Sequence, residues 1–174
     1  MFIKTAAFYK DTNLENKSKK LKARTELRKF SYKKCLSYLI ETFKKHNVSE
    51  FYITSDTQTD FENFTVPIHR DNIDNLLIME AITRSNTNFI LKNTGKMVMI
   101  GADHLIHNPV DIMFEEDFDL AFWITHRDFE PTNRLNLSMT MFLVNKNEKN
   151  GNHIDKFFKD RDDICFSLPL KERK

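Results

Sequence analysis

Apolar residues along this chain fall into short runs and three- and four-residue steps, and each spacing predicts a different element. Residues 2–9, FIKTAAFY, form an apolar run that stops at the polar break Lys10–Asn13, which predicts a first strand. From Asn13 to Lys29 charge takes over, with Lys17, Lys19, Lys20, Lys22, Arg24, Arg28 and Lys29 beside Glu15 and Glu26. That segment has no apolar stripe and is expected to be an exposed loop holding a turn of helix. Next, Tyr32, Leu36, Leu39, Ile40 and Phe43 recur at helical steps, while Lys33, Lys34, Glu41, Lys44 and Lys45 take the opposite side. Asn47 is expected to end this helix. SEFYITSD (49–56) reads as a second strand, and Thr65–His69 as a short third one.

A second helix is predicted near 71–85, with Ile73, Leu76, Leu77, Ala81 and Ile82 on one face and Asp71 or Asn72 as its cap. KMVMIGAD (96–103) is a run without polar alternation, which suits a strand covered on both faces. After Pro109 a short helical piece, VDIMFEED, is followed by strand candidates at 117–125 and 135–145. Gly151–Lys159 reads as a terminal helix, and DDICFSLPL closes the pattern. Strand and helix alternate, then strands follow one another. The expected fold is therefore α/β, a mainly parallel sheet with helices on both faces, with the last strands free to return antiparallel. No repeat or low-complexity linker divides the chain, so residues 1–174 are expected to form one domain.

Composition narrows the function classes. Only 3 glycines occur, too few for a phosphate-binding P-loop or a dinucleotide fingerprint, and neither motif is present. A net charge of +2 gives no argument for nucleic acid, which is not an expected partner. The two cysteines, Cys35 and Cys165, are far apart and form no CxxC pair, which suits a reduced cytoplasmic protein. The first residues do not resemble a signal peptide, and no apolar stretch reaches the roughly 18 residues of a membrane span. The lysine-rich 17–29 segment has three readings: a solvated loop, a lid closing on a diphosphate, or a polyanion contact. It lacks the interleaved aromatics that stack single-stranded bases.

Candidate chemistry follows from the sheet. In an open α/β sheet ligands bind beyond the carboxyl ends of the strands. Tyr9 follows the first strand, Asp56 the second, and Asp103 with His104 the hydrophobic strand ending at Ile100. Arg70 could offer a bidentate fork to a phosphate, or simply be solvated. Asp56 could equally close an Asx turn, and Tyr9 could be a half-buried surface tyrosine. His126 and Arg127 follow the strand ending at Thr125. No serine–histidine–aspartate set or zinc spacing is legible.

The stretch MVMIGADHLIHNPVDIMFEEDFDLAFWIT, with FYITSD and DNIDNLLIMEAI before it and RLNLSMTMFLVN after it, resembles the nucleotide-diphospho-sugar transferases of the GT-A fold. In that family a hydrophobic strand ends in Asp-x-Asp, a proline follows a few residues later, and a short helix ends in Phe before the next strand. The similarity covers most of residues 1–145. It implies a Rossmann-like GT-A domain and a glycosyltransferase moving a sugar from a UDP- or GDP-linked donor to an acceptor hydroxyl. Asp103 and His104 would hold Mn²⁺ or Mg²⁺ there. Tyr9, Asp56, Arg70 and Asp103 would bind the nucleotide and its diphosphate, and His126 and Arg127 would face the acceptor. The chain departs from the family at Gly101, which stands where the first aspartate of the motif belongs. It also stops soon after FLVN, where the family usually continues. The alternative implied is a GT-A-like binding or assembly module without catalysis, its metal motif degenerate.

Overall fold

The computed structural model describes residues 2–11, 19–46, 50–126 and 135–167, and within them the side chains other than those of 19–31, 124–126, 135–140 and 164–167. The elements in chain order are β1 (Ile3–Phe8), α1 (Lys19–His46), β2 (Glu50–Ser55), β3 (Ile68–Arg70), α2 (Ile78–Lys92), β4 (Gly95–Gly101), a 3-10 turn (Val110–Phe114), β5 (Leu120–His126), β6 (Leu135–Lys146) and α3 (Gly151–Ser167). They make an α/β fold around a six-stranded mixed sheet of order β3-β2-β1-β4-β6-β5. β1, β2, β3 and β4 are parallel, and β6 runs antiparallel to both β4 and β5.

The connections explain why both faces are covered. β2 lies on one side of β1 and β4 on the other, so right-handed crossovers send their helices to opposite faces. On one face Leu36, Leu39, Ile40 and Phe43 of α1 pack on Ile3, Ala7, Phe51, Ile53, Val98 and Ile100. On the other, Phe89 and Ile90 of α2 and Ile154 and Phe158 of α3 pack on Ala6, Met97, Met99, Phe142 and Val144. β4 is central and its residues Met97, Val98, Met99 and Ile100 alternate between these two clusters, all buried. An unbroken apolar run is the signature of such a strand, because neither face meets water.

Several boundaries differ from the sequence-based expectation. α1 starts at Lys19, within the segment expected to be a loop. Lys, Leu, Ala, Arg and Glu are good helix formers, and a helix that has run past its sheet needs no apolar stripe. α2 starts at Ile78, not near residue 71, and Leu77 occupies its N-cap. Asp71 and Asn72 therefore do not cap it. Ile73 is buried in a turn, held by a hydrogen bond from its N–H to the Asp71 carbonyl at 2.9 Å. α3 runs on to Ser167, beyond the expected Lys159. β3 begins at Ile68, three residues later than expected. Asn13, Asn47 and residues 168–170 lie outside the described residues, as does the Cys165 side chain, while Cys35 is free and half-buried.

Candidate site at the carboxyl edge of the sheet

β1 is the strand on which the topology turns. The chain leaves it toward β2 over one face and reaches β4 over the other, so the carboxyl ends of β1 and β4 flank the switch point at which open α/β sheets bind ligands. The register pairs Phe8 with Gly101, which brings Tyr9 and Lys10 level with Ala102 and Asp103. Two neighbours extend beyond that edge. β4 pairs with β6 only as far as Met99↔Phe142, whereas β5 and β6 continue to His126↔Leu135. β5 is parallel to β4, so its carboxyl end and the backbone of His126 lie at the same edge. The His126 side chain and all of Arg127 lie outside what is described.

Tyr9 is buried, with its ring edge-on to Phe61 at 5.8 Å between centroids. Its hydroxyl donates to Asp11 Oδ1 at 2.7 Å. Its carbonyl accepts from the Ser55 hydroxyl at 2.6 Å and its N–H donates to the Thr54 carbonyl at 3.0 Å. This tyrosine is thus locked between β1, β2 and the following loop. Asp56 is buried as well, and its Oδ1 accepts from the Thr59 N–H at 2.8 Å. The aspartate therefore closes the turn after β2, which is the local chemistry that favours Asp at strand ends. Arg70 completes the loop. Its Nη1 donates to the carbonyls of Asp56 at 2.8 Å and Thr59 at 2.7 Å, and its guanidinium lies over Phe61 at 5.2 Å.

These three residues come together, as the sequence suggested, but their bonds run to one another and to the chain. Arg70→Ala should lower stability by roughly 1 kcal/mol, since charged donors to carbonyls are worth about 1.5–3 kcal/mol before the exposure of this arginine is discounted. Amide exchange at Thr59 should quicken in the variant, and an unchanged Thr59 rate would mean that Asp56 alone holds the turn.

Two ties here gave no signal in the sequence. Lys10 Nζ donates to the carbonyls of Ile73 and Asp74, both at 2.6 Å, and so pulls the turn before α2 against the end of β1. Asp74 in turn accepts from the Thr57 hydroxyl at 2.8 Å and the Thr57 N–H at 3.0 Å. The Thr57 hydroxyl bond holds the Asp74 carboxyl below its ordinary range. On the other face Lys33 of α1 donates to the Asp60 carbonyl at 2.9 Å and lies 3.7 Å from Asp11 Oδ2. A lone lysine in a polar stretch carries no pattern, so only the folded loops reveal these partners.

Asp103 stands apart from that network. Its side chain is more than half exposed, and Oδ1 lies 3.3 Å from His104 Nδ1. His104 Nδ1 is also 3.1 Å from the Gly101 carbonyl. A carbonyl can only accept, so Nδ1 carries the hydrogen in this arrangement and has no lone pair for a metal. Among the described residues no three histidine, cysteine, aspartate or glutamate side chains come together. The donors at the end of β4 are thus the Asp103 carboxylate and the Nε2 of His104. They fit Mn²⁺ or Mg²⁺ only as part of a shell completed by water and ligand phosphates, as such ions accept. With Nδ1 donating to Gly101, the His104 nitrogen left for a metal is Nε2.

No protein-family model matches the chain, and no curated protein matches it significantly. Among the described residues no helix is long and apolar enough to cross a membrane.

Proposed function

We propose that this chain is a GT-A-like nucleotide-diphospho-sugar transferase, with the crevice between the carboxyl ends of β1 and β4 as its donor site. What supports this reading is the switch of crossover direction at β1, with an exposed carboxylate, Asp103, after β4 and the fastened side chains of Tyr9, Asp56 and Arg70 at the ends of β1, β2 and β3. The nucleoside lies against those side chains, and the diphosphate reaches toward Asp103. Asp103 would hold a divalent ion, which would supply charge neutralisation for the leaving diphosphate. The chain's own contribution is position: Asp103 follows a buried strand, and the loop after β2 is fastened at both ends. His126, at the end of β5, stands on the acceptor side.

A second reading has its own support at Gly101. A Cβ built there would lie 2.8 Å from both Asp103 Oδ1 and His104 Nδ1. Both are ends of flexible side chains, so an aspartate at 101 requires the His104 ring to swing away. The local structure is thus organised around the absence of a second carboxylate, which suits a module that binds a nucleotide-sugar without turning it over.

Thermal shift with UDP- and GDP-sugars, with and without Mn²⁺, tests the site. A ligand at 100 times its Kd should stabilise the fold by about 2.7 kcal/mol through mass action. Asp103→Asn should reduce the shift with Mn²⁺ to the shift without it. If no nucleotide-sugar moves the Tm of the wild-type protein, the donor site is refuted. Metal-dependent binding confined to Gly101→Asp, without turnover by the wild type, would favour the binding module.

A further inference from the structure

The two edges of the sheet differ in how they are guarded. β3, at one edge, has three residues, and shortness is one way a protein denies a free edge to other chains. β5, at the other edge, has seven, and among the described residues no strand lies on its outer side. From Leu120 to Thr125 its sequence is LAFWIT, without proline, lysine or acid. A bulge would also blunt an edge, but the irregularity here falls on the neighbouring strand. Between the pairs Phe122↔Phe142 and Ile124↔Leu137, β5 advances by two residues and β6 by five.

The backbone of β5 is set for a further partner. The Asn145 N–H donates to the Asp119 carbonyl at 2.9 Å, which makes Asp119 and Asn145 a hydrogen-bonded pair. Antiparallel alternation then turns the N–H and C=O groups of Leu120 and Phe122 away from β6, toward the open edge. The Phe122 ring stacks on Phe142 and lies 6.2 Å from Phe157 of α3. Alternation along the strand puts Trp123 on the opposite face, where the contacts of α1 reach β1, β2 and β4. Trp123 is left 62% exposed, and Phe157 43%.

This edge suits a second copy of itself. Trp123 is the middle residue of the seven, so two antiparallel copies in full overlap set Leu120 opposite His126, Phe122 opposite Ile124 and Trp123 opposite its own mate. With Phe122 turned outward, the tryptophans form a non-hydrogen-bonded pair, the kind in which side chains stand closest. Both Phe157 side chains then border the seam on the other face. Charge agrees with this direction. Glu115, Glu116 and Asp117, all exposed, precede the strand. Parallel pairing would bring the two acidic flanks together. Antiparallel pairing sets each beside the mate's Thr125–His126 end, which carries no acid.

We propose that β5 is a dimerisation edge, at which two copies pair antiparallel about a twofold axis at Trp123 and join their sheets into one. Such a contact is self-complementary and closes at two chains.

Sedimentation of the full chain, from nanomolar to submillimolar concentration, tests this. The wild type should be a dimer that dissociates on dilution. Trp123 is the only tryptophan, so the emission should move to longer wavelength as the dimer separates. Trp123→Glu and Trp123→Lys each bring like charges together at the axis, and should weaken dimerisation about thirtyfold or more, as loss of an interface anchor does. Their equimolar mixture should recover a dimer, because glutamate then faces lysine. Tyr38→Glu, at an exposed position of α1, should dimerise like wild type. Circular dichroism checks that every variant keeps its fold. A wild type that stays monomeric over the whole range would overturn the dimer. So would a dimer that survives both charged variants, one also lost in Tyr38→Glu, or charged variants that fail to recover each other. A monomer whose tryptophan emission shifts with added oligosaccharide would place a carbohydrate on Trp123 in place of a second copy.

Discussion

Phe43→Ala is expected to destabilise the protein by about 3–5 kcal/mol, the usual cost of deleting a buried phenylalanine. The Phe43 ring is 1% exposed and lies 5.1 Å from the Phe51 ring, tilted by 59°. It joins α1 to β2 near the amino edge of the sheet, at the far end of the helix from the crevice. At this chain length each kcal/mol moves Tm by roughly 2–4 °C, so a loss of roughly 10 °C should appear in a melting curve. Tyr38→Ala, on the same helix but 48% exposed, should stay within about 0.5 kcal/mol of wild type. Comparable losses in the two variants would mean that α1 does not pack on the sheet by the face that carries Leu36, Leu39, Ile40 and Phe43.

The strands and the paired half of α1 were legible because burial imposes a pattern on them. Met97–Ile100 had to be apolar throughout, since one set of alternating residues meets α1 and the other meets α2 and α3. Leu36, Leu39, Ile40 and Phe43 show helical spacing because a sheet lies under them. The outer half of α1 hid for the converse reason. Nothing apolar is needed beyond the sheet edge, and its charges read as a loop. α2 misled in another way. Its buried positions include Thr83, Ser85, Asn86 and Thr87, while the apolar residues at its start, Leu77, Ile78 and Met79, are exposed. Apolar periodicity therefore pulled the expected helix forward into the turn that buries Ile73.

The candidate site was legible in location more than in detail. Strand ends can be read from where apolar runs stop, and Tyr9, Asp56, Arg70 and Asp103 do lie at the carboxyl ends of β1, β2, β3 and β4. What each side chain bonds to depends on how loops fold back. Asp56 was open to both an Asx turn and a nucleotide contact, and its bond to Thr59 N–H serves the turn. Arg70 donates from Nη1 alone to two carbonyls of that turn. Arg70 and Asp103 are both exposed, but Arg70 is tied to the turn whereas Asp103 meets only the neighbouring His104, and this difference in commitment is invisible in a linear string of residues.

Asp71 should prove the most sensitive polar position at this edge. It follows β3, its N–H donates to the Ser55 carbonyl at 2.9 Å, and its side chain is 3% exposed. Oδ2 accepts from the buried Ser85 hydroxyl at 3.0 Å. Oδ1 lies 3.3 Å from His69 Nε2 and 3.5 Å from Lys92 Nζ. Burial by itself pushes the carboxyl pKa up, but the His69 ring beside it, the Ser85 bond and the Lys92 charge outweigh burial and hold it below its ordinary value. A carboxyl with a lowered folded pKa stabilises the fold fully above its unfolded value, near 3.9, and loses that contribution as pH falls through the lower folded value. Asp71→Ala should therefore cost about 1–3 kcal/mol at pH 6–7, because the Ser85 hydroxyl loses its acceptor and Lys92 its counter-charge. Asp71→Asn keeps the shape and removes the charge, so its stability should fall less steeply than wild type between pH 5 and 3. Urea titrations of the three proteins at pH 7, 5, 4 and 3 measure both effects. Parallel acid profiles for wild type and Asp71→Asn would show that this carboxylate is not what couples β3 and α2 to pH.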